Sequence, residues 1–313
     1  MAGAGLTEAE YARAGRALTR MHPVLPGVLL PLTHRLTGIG WKSCPERDVR
    51  VPPAMRRPTV EDRAMDEARA LLAVLTHRDP QEPTACRGWR VRDVVTHLAA
   101  GAREASELIE AALRGQPGRP TRPFAEREAA YQATPYAELL AALAGESARL
   151  DTAMTALTGV GGTVEFTGAR LTGDDMRTHS RSELAVHRWD IVGDDDIGRQ
   201  LLAQPDLTAH AVKVLTMMTT LQESAAARAQ RLAEVPDDFA FGLRSAGSDD
   251  VLVRIDPQAA LEMRHPDAGT PVVHSSAADR LLMLWGRRPP ADRIDMSDLP
   301  AGTARLVETF LYV

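Results

Sequence analysis

Glu183 and His187 stand four residues apart in Ser182-Glu183-Leu184-Ala185-Val186-His187, a spacing that puts both side chains on one face of a helix. A third donor, His97, lies in Asp93-Val94-Val95-Thr96-His97-Leu98, beside the apolar stripe of another helix. Two imidazoles and one carboxylate suit a divalent cation with a fourth position open to water or substrate, the pattern of a catalytic zinc rather than a closed structural one. Taken singly, each has an ordinary reading. A histidine beside an apolar stripe is commonly a hydrogen-bonded core residue, and a Glu and a His four apart can be a surface pair. Leu184, Val186 and Ile191 nevertheless turn the Glu183–His187 face inward, where a carboxylate and an imidazole need a partner such as a metal. His179, one turn before Glu183, shares that face and is a candidate extra ligand. Asp190, three residues after His187, can orient an imidazole from behind. His210, His265 and His274 lack supporting neighbours and read as structural or exposed.

The elements that would position these residues are helical. Thr59 caps a first helix whose Val60, Met65, Ala68, Leu71, Leu72 and Leu75 follow three-and-four spacing. Val91 to Ala112 form a second that ends before Gly115 and Pro117, Thr134-Pro135 opens a third closed by Gly159, and a fourth runs from about Asp174 to Val192 with Gly193 as its stop. Helices of this number and length predict a bundle. A further helix is expected from Asp206 to Glu234. After Pro236 the pattern becomes β-rich at Phe239–Leu243, Val251–Ile255, Ala260–Met263 and Val272–His274, followed by helical stretches at Ala277–Trp285 and Thr303–Leu311. The fold class is therefore α+β, with an arm or cap over residues 1–57, a helical bundle over 58–235 and a small α+β domain over 236–313. Loops 115–124 and 161–173 are expected to line the pocket.

Composition narrows the function. The net charge of −5 and pI near 6.0 give no electrostatic case for nucleic acid. No segment approaches the roughly 20 apolar residues that cross a bilayer, and the first residues do not read as a secretory signal, so a cytoplasmic location is expected. Cys44 and Cys86 are too few for a disulfide framework. Cys86, Trp89 and Trp189 read as packing residues. The chain has two lysines and meets its need for positive charge with arginine, a usage that GC-rich genomes favour.

The run Thr84-Ala85-Cys86-Arg87-Gly88-Trp89-Arg90-Val91-Arg92-Asp93-Val94-Val95-Thr96-His97-Leu98, followed by Arg181-Ser182-Glu183-Leu184-Ala185-Val186-His187-Arg188-Trp189-Asp190, resembles the mycothiol-dependent maleylpyruvate isomerase family, a branch of the DinB-like metal-binding four-helix bundles. Ala277 to Arg288 resembles that family's small sterol-carrier-like domain. The resemblance covers roughly residues 59–313. It implies that His97, Glu183 and His187 bind zinc or another divalent metal and that a low-molecular-weight thiol, mycothiol in actinobacteria, binds at the open position.

The chemistry is coherent apart from the resemblance, because a bound cation favours thiolate over thiol and the thiolate is the nucleophile. It could add to an electrophilic alkene and leave, isomerising it, or remain as an S-conjugate. The expected protein is thus an isomerase or thiol S-transferase acting on a small molecule. An anionic substrate would need cationic clamps, for which Arg103 and Arg181 are candidates, although Arg181 better fits a structural salt bridge. Two alternatives keep the fold: a thiol-independent metalloenzyme whose ion acts as Lewis acid in a specialised pathway, and a non-catalytic small-molecule-binding protein.

Overall fold

The computed structural model describes residues 60–217, 239–255, 261–262 and 264–311. The expected arm over 1–57, the Thr59 cap and the stretch from 218 to 234 of the expected fifth helix lie outside these residues. Helix α1 (Val60–Leu75) is followed by α2 (Val91–Leu113), a one-turn α3 (Phe124–Glu128) and α4 (Tyr136–Gly159). A hairpin of β1 (Thr163–Phe166) and β2 (Ala169–Thr172) leads into α5 (Gly173–Val192), α6 (Asp196–Leu202) and α7 (Pro205–Met217). The remainder holds β3 (Phe239–Arg244), β4 (Val251–Ile255), β5 (Leu261–Glu262), β6 (Val272–His274), α8 (Ala277–Leu284) and α9 (Ala301–Leu311).

Helix α2 packs along α4, and α1 packs on α5. Val91, Val94, Val95 and Leu98 of α2 meet Leu71 and Leu75 of α1 and Leu139, Leu140 and Leu143 of α4 in one apolar cluster. These are the positions that three-and-four spacing assigns to a buried face. The C-terminal sheet has the order β5-β4-β3-β6, with β6 parallel to β3 and the other pairs antiparallel. Phe241, Leu243, Val251 and Val253 share a core with Leu281 of α8 and with Ala185, Val186 and Trp189 of α5. Bundle and sheet are therefore joined by a common apolar interior, and α5 contributes to both.

The structure departs from the sequence expectations in four places. Residues 161–173, expected as a loop, form the β1–β2 hairpin, whose Val164, Phe166 and Leu171 are buried against α2 and α4. Four-residue strands carry too little periodicity to be told from loop without their packing partner. Residues 115–124 likewise end in a helical turn, α3. The third helix starts at Tyr136, so that Pro135 takes the cap position and Thr134 lies outside it. The helix expected from Asp206 starts at Pro205, and a separate α6 precedes it, capped by Asp195, whose side chain accepts from the Gly198 amide.

Candidate metal centre

Helix α5 carries two of the three candidate ligands, and its start is closely specified. The Thr172 hydroxyl accepts from the Asp175 amide and the Asp175 carboxylate accepts from the Thr172 amide, a reciprocal capping box. Lys213 of α7 places its Nζ 2.7 Å from Asp175 Oδ1. Gly173 sits where a Cβ would collide with Thr158 and the Met154 backbone of α4, which sets the closest approach of the two helices. Ahead of α2, Gly88 adopts φ +82°, a left-handed conformation that glycine reaches without strain. That turn brings the Ala85 amide to within 2.7 Å of the Asp190 carbonyl, pinning residues 84–90 to the end of α5.

His97, Glu183 and His187 each offer a donor atom, and the three atoms lie within 4.8 Å of one another. Glu183 Oε2 is 3.5 Å from Nε2 of His97 and 3.5 Å from Nε2 of His187. Each imidazole is held from behind through Nδ1: His97 donates to Glu128 Oε1 at 3.1 Å, and His187 to Asp190 Oδ2 at 2.8 Å. The Trp89 ring is stacked on His187 at 6.1 Å and tilted against His97 at 5.1 Å, while Phe124 meets His97 edge-on at 5.2 Å. Burial opposes ionisation of Glu183, but the bonds from His187 and His97 outweigh it and hold its carboxyl well below the usual range. Burial also opposes charge on His187, and Asp190, Cys86 and Glu183 together reverse that effect and raise its pKa well above the ordinary value.

This donor set fits a divalent ion. Ligand bonds of ~2.0–2.2 Å in tetrahedral geometry separate the donors by about 3.3–3.5 Å, which matches both nitrogen–oxygen separations. With Nδ1 of each ring donating to a carboxylate, both Nε2 atoms converge on Glu183 Oε2, and a divalent ion seated among them would take the place of the hydrogen bonds they make to it. Cys86, His187 and Asp190 form a second compact trio. There, however, the Arg287 guanidinium bonds Asp190 Oδ2 at 2.8 Å and Cys86 Sγ at 3.3 Å, already supplying the positive charge and opposing another.

The other residues singled out from the sequence separate cleanly. Asp190 stands behind His187, where the spacing put it; with burial opposing and His187 and Arg287 prevailing, its carboxyl is held down to about 2. His179 is not brought into the trio. Its Nδ1 lies 3.2 Å from Nε2 of His210, and its ring packs on Phe166 and Trp285. His210, read as unsupported, is thus its buried partner. Arg103 bonds Glu107 through Nε at 2.9 Å, and Arg181 is fully buried among Glu67, Asp206 and Gln204, so both already face carboxylates of the protein. Cys86 is more than packing, since its Sγ lies 3.1 Å from Asp190 Oδ2. Trp89 is wall rather than core. Sequence reasoning missed Glu128 and Arg127 altogether and reached Phe124 only as the end of an expected pocket loop, because the turn that carries them follows a proline-rich stretch and has no periodic signal.

The His179–His210 pair makes a pH prediction. Burial, helped by neighbouring His179 and Lys213 and opposed by Asp175 and Glu183, pushes His210 down to about 3 from 6.5. Such a histidine is neutral when folded and titrates normally when unfolded, so its contribution is complete above pH 6.5 and is lost as pH falls toward 3. The loss is roughly 1.4 kcal/mol per pH unit across that window. Melting temperatures from pH 7 to 4 should therefore fall less steeply for His210→Gln than for wild type, and coincident slopes would refute the assignment.

The mycothiol maleylpyruvate isomerase N-terminal domain model matches residues 62–192. No curated protein matches the chain at a significant level. Among solved structures, the mycothiol-dependent maleylpyruvate isomerase is similar with a TM-score of 0.51 at 18% identity, covering 76% of this chain and 92% of that one. A single-histidine mutant of the same enzyme gives 0.52 at 16% identity with the same coverage. At such identity the likeness is one of fold. Among the described residues, no helix is long and apolar enough to cross a membrane. Residues 62–192, which contain His97, Glu183 and His187, are thus the part of this chain that matches the mycothiol maleylpyruvate isomerase N-terminal domain model.

Proposed function

We propose that this chain is a metalloenzyme that holds zinc or a similar divalent ion through His97, Glu183 and His187, and that it uses a low-molecular-weight thiol, mycothiol or a close analogue, for isomerisation or S-transfer on a small electrophile. The observation that carries this reading is the convergence of two Nε2 atoms on Glu183 Oε2 at 3.5 Å, with both Nδ1 atoms tied to carboxylates. The ion, when bound, would supply the positive charge that stabilises a thiolate at the open position. Glu128 and Asp190 fix the tautomer and the aim of the two rings. Trp89 packs against both imidazoles and limits their movement on that side. In isomerisation a thiolate adds to an alkene carbon, the double bond becomes a rotatable single bond, and loss of the same thiolate restores the alkene. In S-transfer the new carbon–sulfur bond stays and a proton completes the product. The proposal keeps a metal-binding bundle at 58–235 and a small α+β domain at 236–313, and places the protein in the cytoplasm, where thiols remain reduced.

Cobalt substitution tests the thiol directly. Mycothiol added to the cobalt-loaded protein should introduce a sulfur-to-cobalt charge-transfer band and alter the visible spectrum, and Glu183→Gln should abolish the response. An unchanged spectrum removes the thiol from the mechanism and leaves a Lewis-acid enzyme that depends on metal alone.

A further inference from the structure

The geometry points to Arg127 as the receptor for a carboxylate group of the substrate beside the candidate metal centre. This inference rests on the proposed function only in placing the reacting electrophile there. Arg127 is 8% exposed, and among the described residues its guanidinium makes no hydrogen bond or ion pair. Its Nε is fully buried without a partner. Neighbouring arginines behave differently: Arg103 bonds Glu107, while Arg119 and Arg122 both bond Glu104. An arginine does not discharge itself on burial, because its pKa is too high, so an unpaired guanidinium in the interior carries a large desolvation cost until an anion arrives. That same burial pulls the Arg127 pKa below its ordinary value, despite the opposing fields of Glu128, Glu183 and Glu104.

Its position is specific. The Arg127 guanidinium carbon lies 4.3 Å from the centre of the Phe124 ring, and that ring lies 5.2 Å from the imidazole of His97. One aromatic ring therefore separates the unpaired cation from a candidate ligand, and Phe124 is 58% exposed, on the solvent side of the site. The carboxylates that Arg127 feels are engaged elsewhere. Glu128 accepts from His97, Glu183 faces the two imidazoles, and Glu104 is held by Arg119 and Arg122. Among the described residues none of these carboxylates is left for Arg127, and a ligand would supply the counter-charge. A planar guanidinium fork matches a carboxylate in bidentate fashion, and one uncompensated cation calls for one negative charge. With the thiolate assigned to the open metal position, that carboxylate belongs to the electrophile.

Calorimetric titration of the full chain tests this, with maleate, dimethyl maleate and inorganic phosphate as the probes and with both zinc-loaded and metal-stripped protein. Arg127→Gln should weaken maleate binding at least tenfold in both forms and leave the neutral diester unaffected, while Arg127→Lys should fall between. Because the substitution removes an unpaired buried cation, the ligand-free variant should melt at or above the wild-type temperature. Equal maleate binding by variant and wild type, no binding by wild type, tighter binding of phosphate than of maleate, or a marked fall in the variant's melting temperature would each overturn the inference. A wild type that takes up no zinc would sink the metalloenzyme reading separately, since the metal-stripped titration does not depend on the ion.

Discussion

Replacing His187 by alanine is expected to abolish stoichiometric metal binding while the chain stays folded. Wild type purified without added metal should carry about one zinc or similar ion per chain, held by three protein ligands, and the variant should carry none. The expectation follows from the geometry: His187 Nε2 is one of the two imidazole nitrogens that, among the described residues, face Glu183 Oε2, and a single histidine with one carboxylate is a poor zinc site. Asp190→Asn should give the graded result. The amide can present its NH2 rather than an acceptor to Nδ1, so the tautomer is no longer enforced, and affinity should drop about 10- to 100-fold, the range for such outer partners. Metal content by mass spectrometry, with circular dichroism as a check on folding, distinguishes these outcomes. A wild type that remains metal-free even on titration would remove the proposed centre and favour a non-catalytic binding protein.

Arg181→Leu should produce the largest loss of stability. Arg181 is 0% exposed; its Nη2 is 3.0 Å from Glu67 Oε1 of α1, its Nη1 2.5 Å from Asp206 Oδ2 of α7, and its Nη2 2.5 Å from Gln204 Oε1. Glu67 is equally buried. Removing one member of such a network leaves the other charge uncompensated, which costs about 3–5 kcal/mol and, for a protein of this size, lowers Tm by on the order of 10 °C. The double variant Arg181→Leu/Glu67→Leu should recover part of that loss, because the fully buried Glu67 is then no longer stranded, while the partly exposed Asp206 can be hydrated. Zinc content should be unaffected in both. A neutral Arg181→Leu would mean that the network contributes no net stability, whereas loss of substrate binding at unchanged Tm would restore Arg181 as an anion clamp.

Much of the site was legible because its signal is local. The Glu183–His187 spacing needs only the pitch of a helix, and the inward turn of that face follows from Leu184, Val186 and Ile191. Asp190 follows from the same pitch, lying three residues beyond His187. His179 shows where this logic stops. It occupies the same helical face one turn earlier, yet its ring is captured by His210 of α7 and by Phe166 and Trp285, residues that no helical spacing relates to it.

By itself the sequence determined the four long helices, the strands after Pro236, the pair on α5 and the presence of a third histidine on α2, because apolar periodicity and helical pitch are properties of a dozen neighbouring residues. Only the tertiary structure decided what lies behind and beside the trio. Glu128 reaches His97 across 31 residues, Arg287 reaches Asp190 across 97, and Arg181 reaches Glu67 across 114. Those pairings depend on how helices and loops pack, as does the absence of a partner for Arg127 among the described residues. A charged side chain reads the same in sequence whether it is paired or alone; its burial and neighbours set what the charge costs and what it can bind.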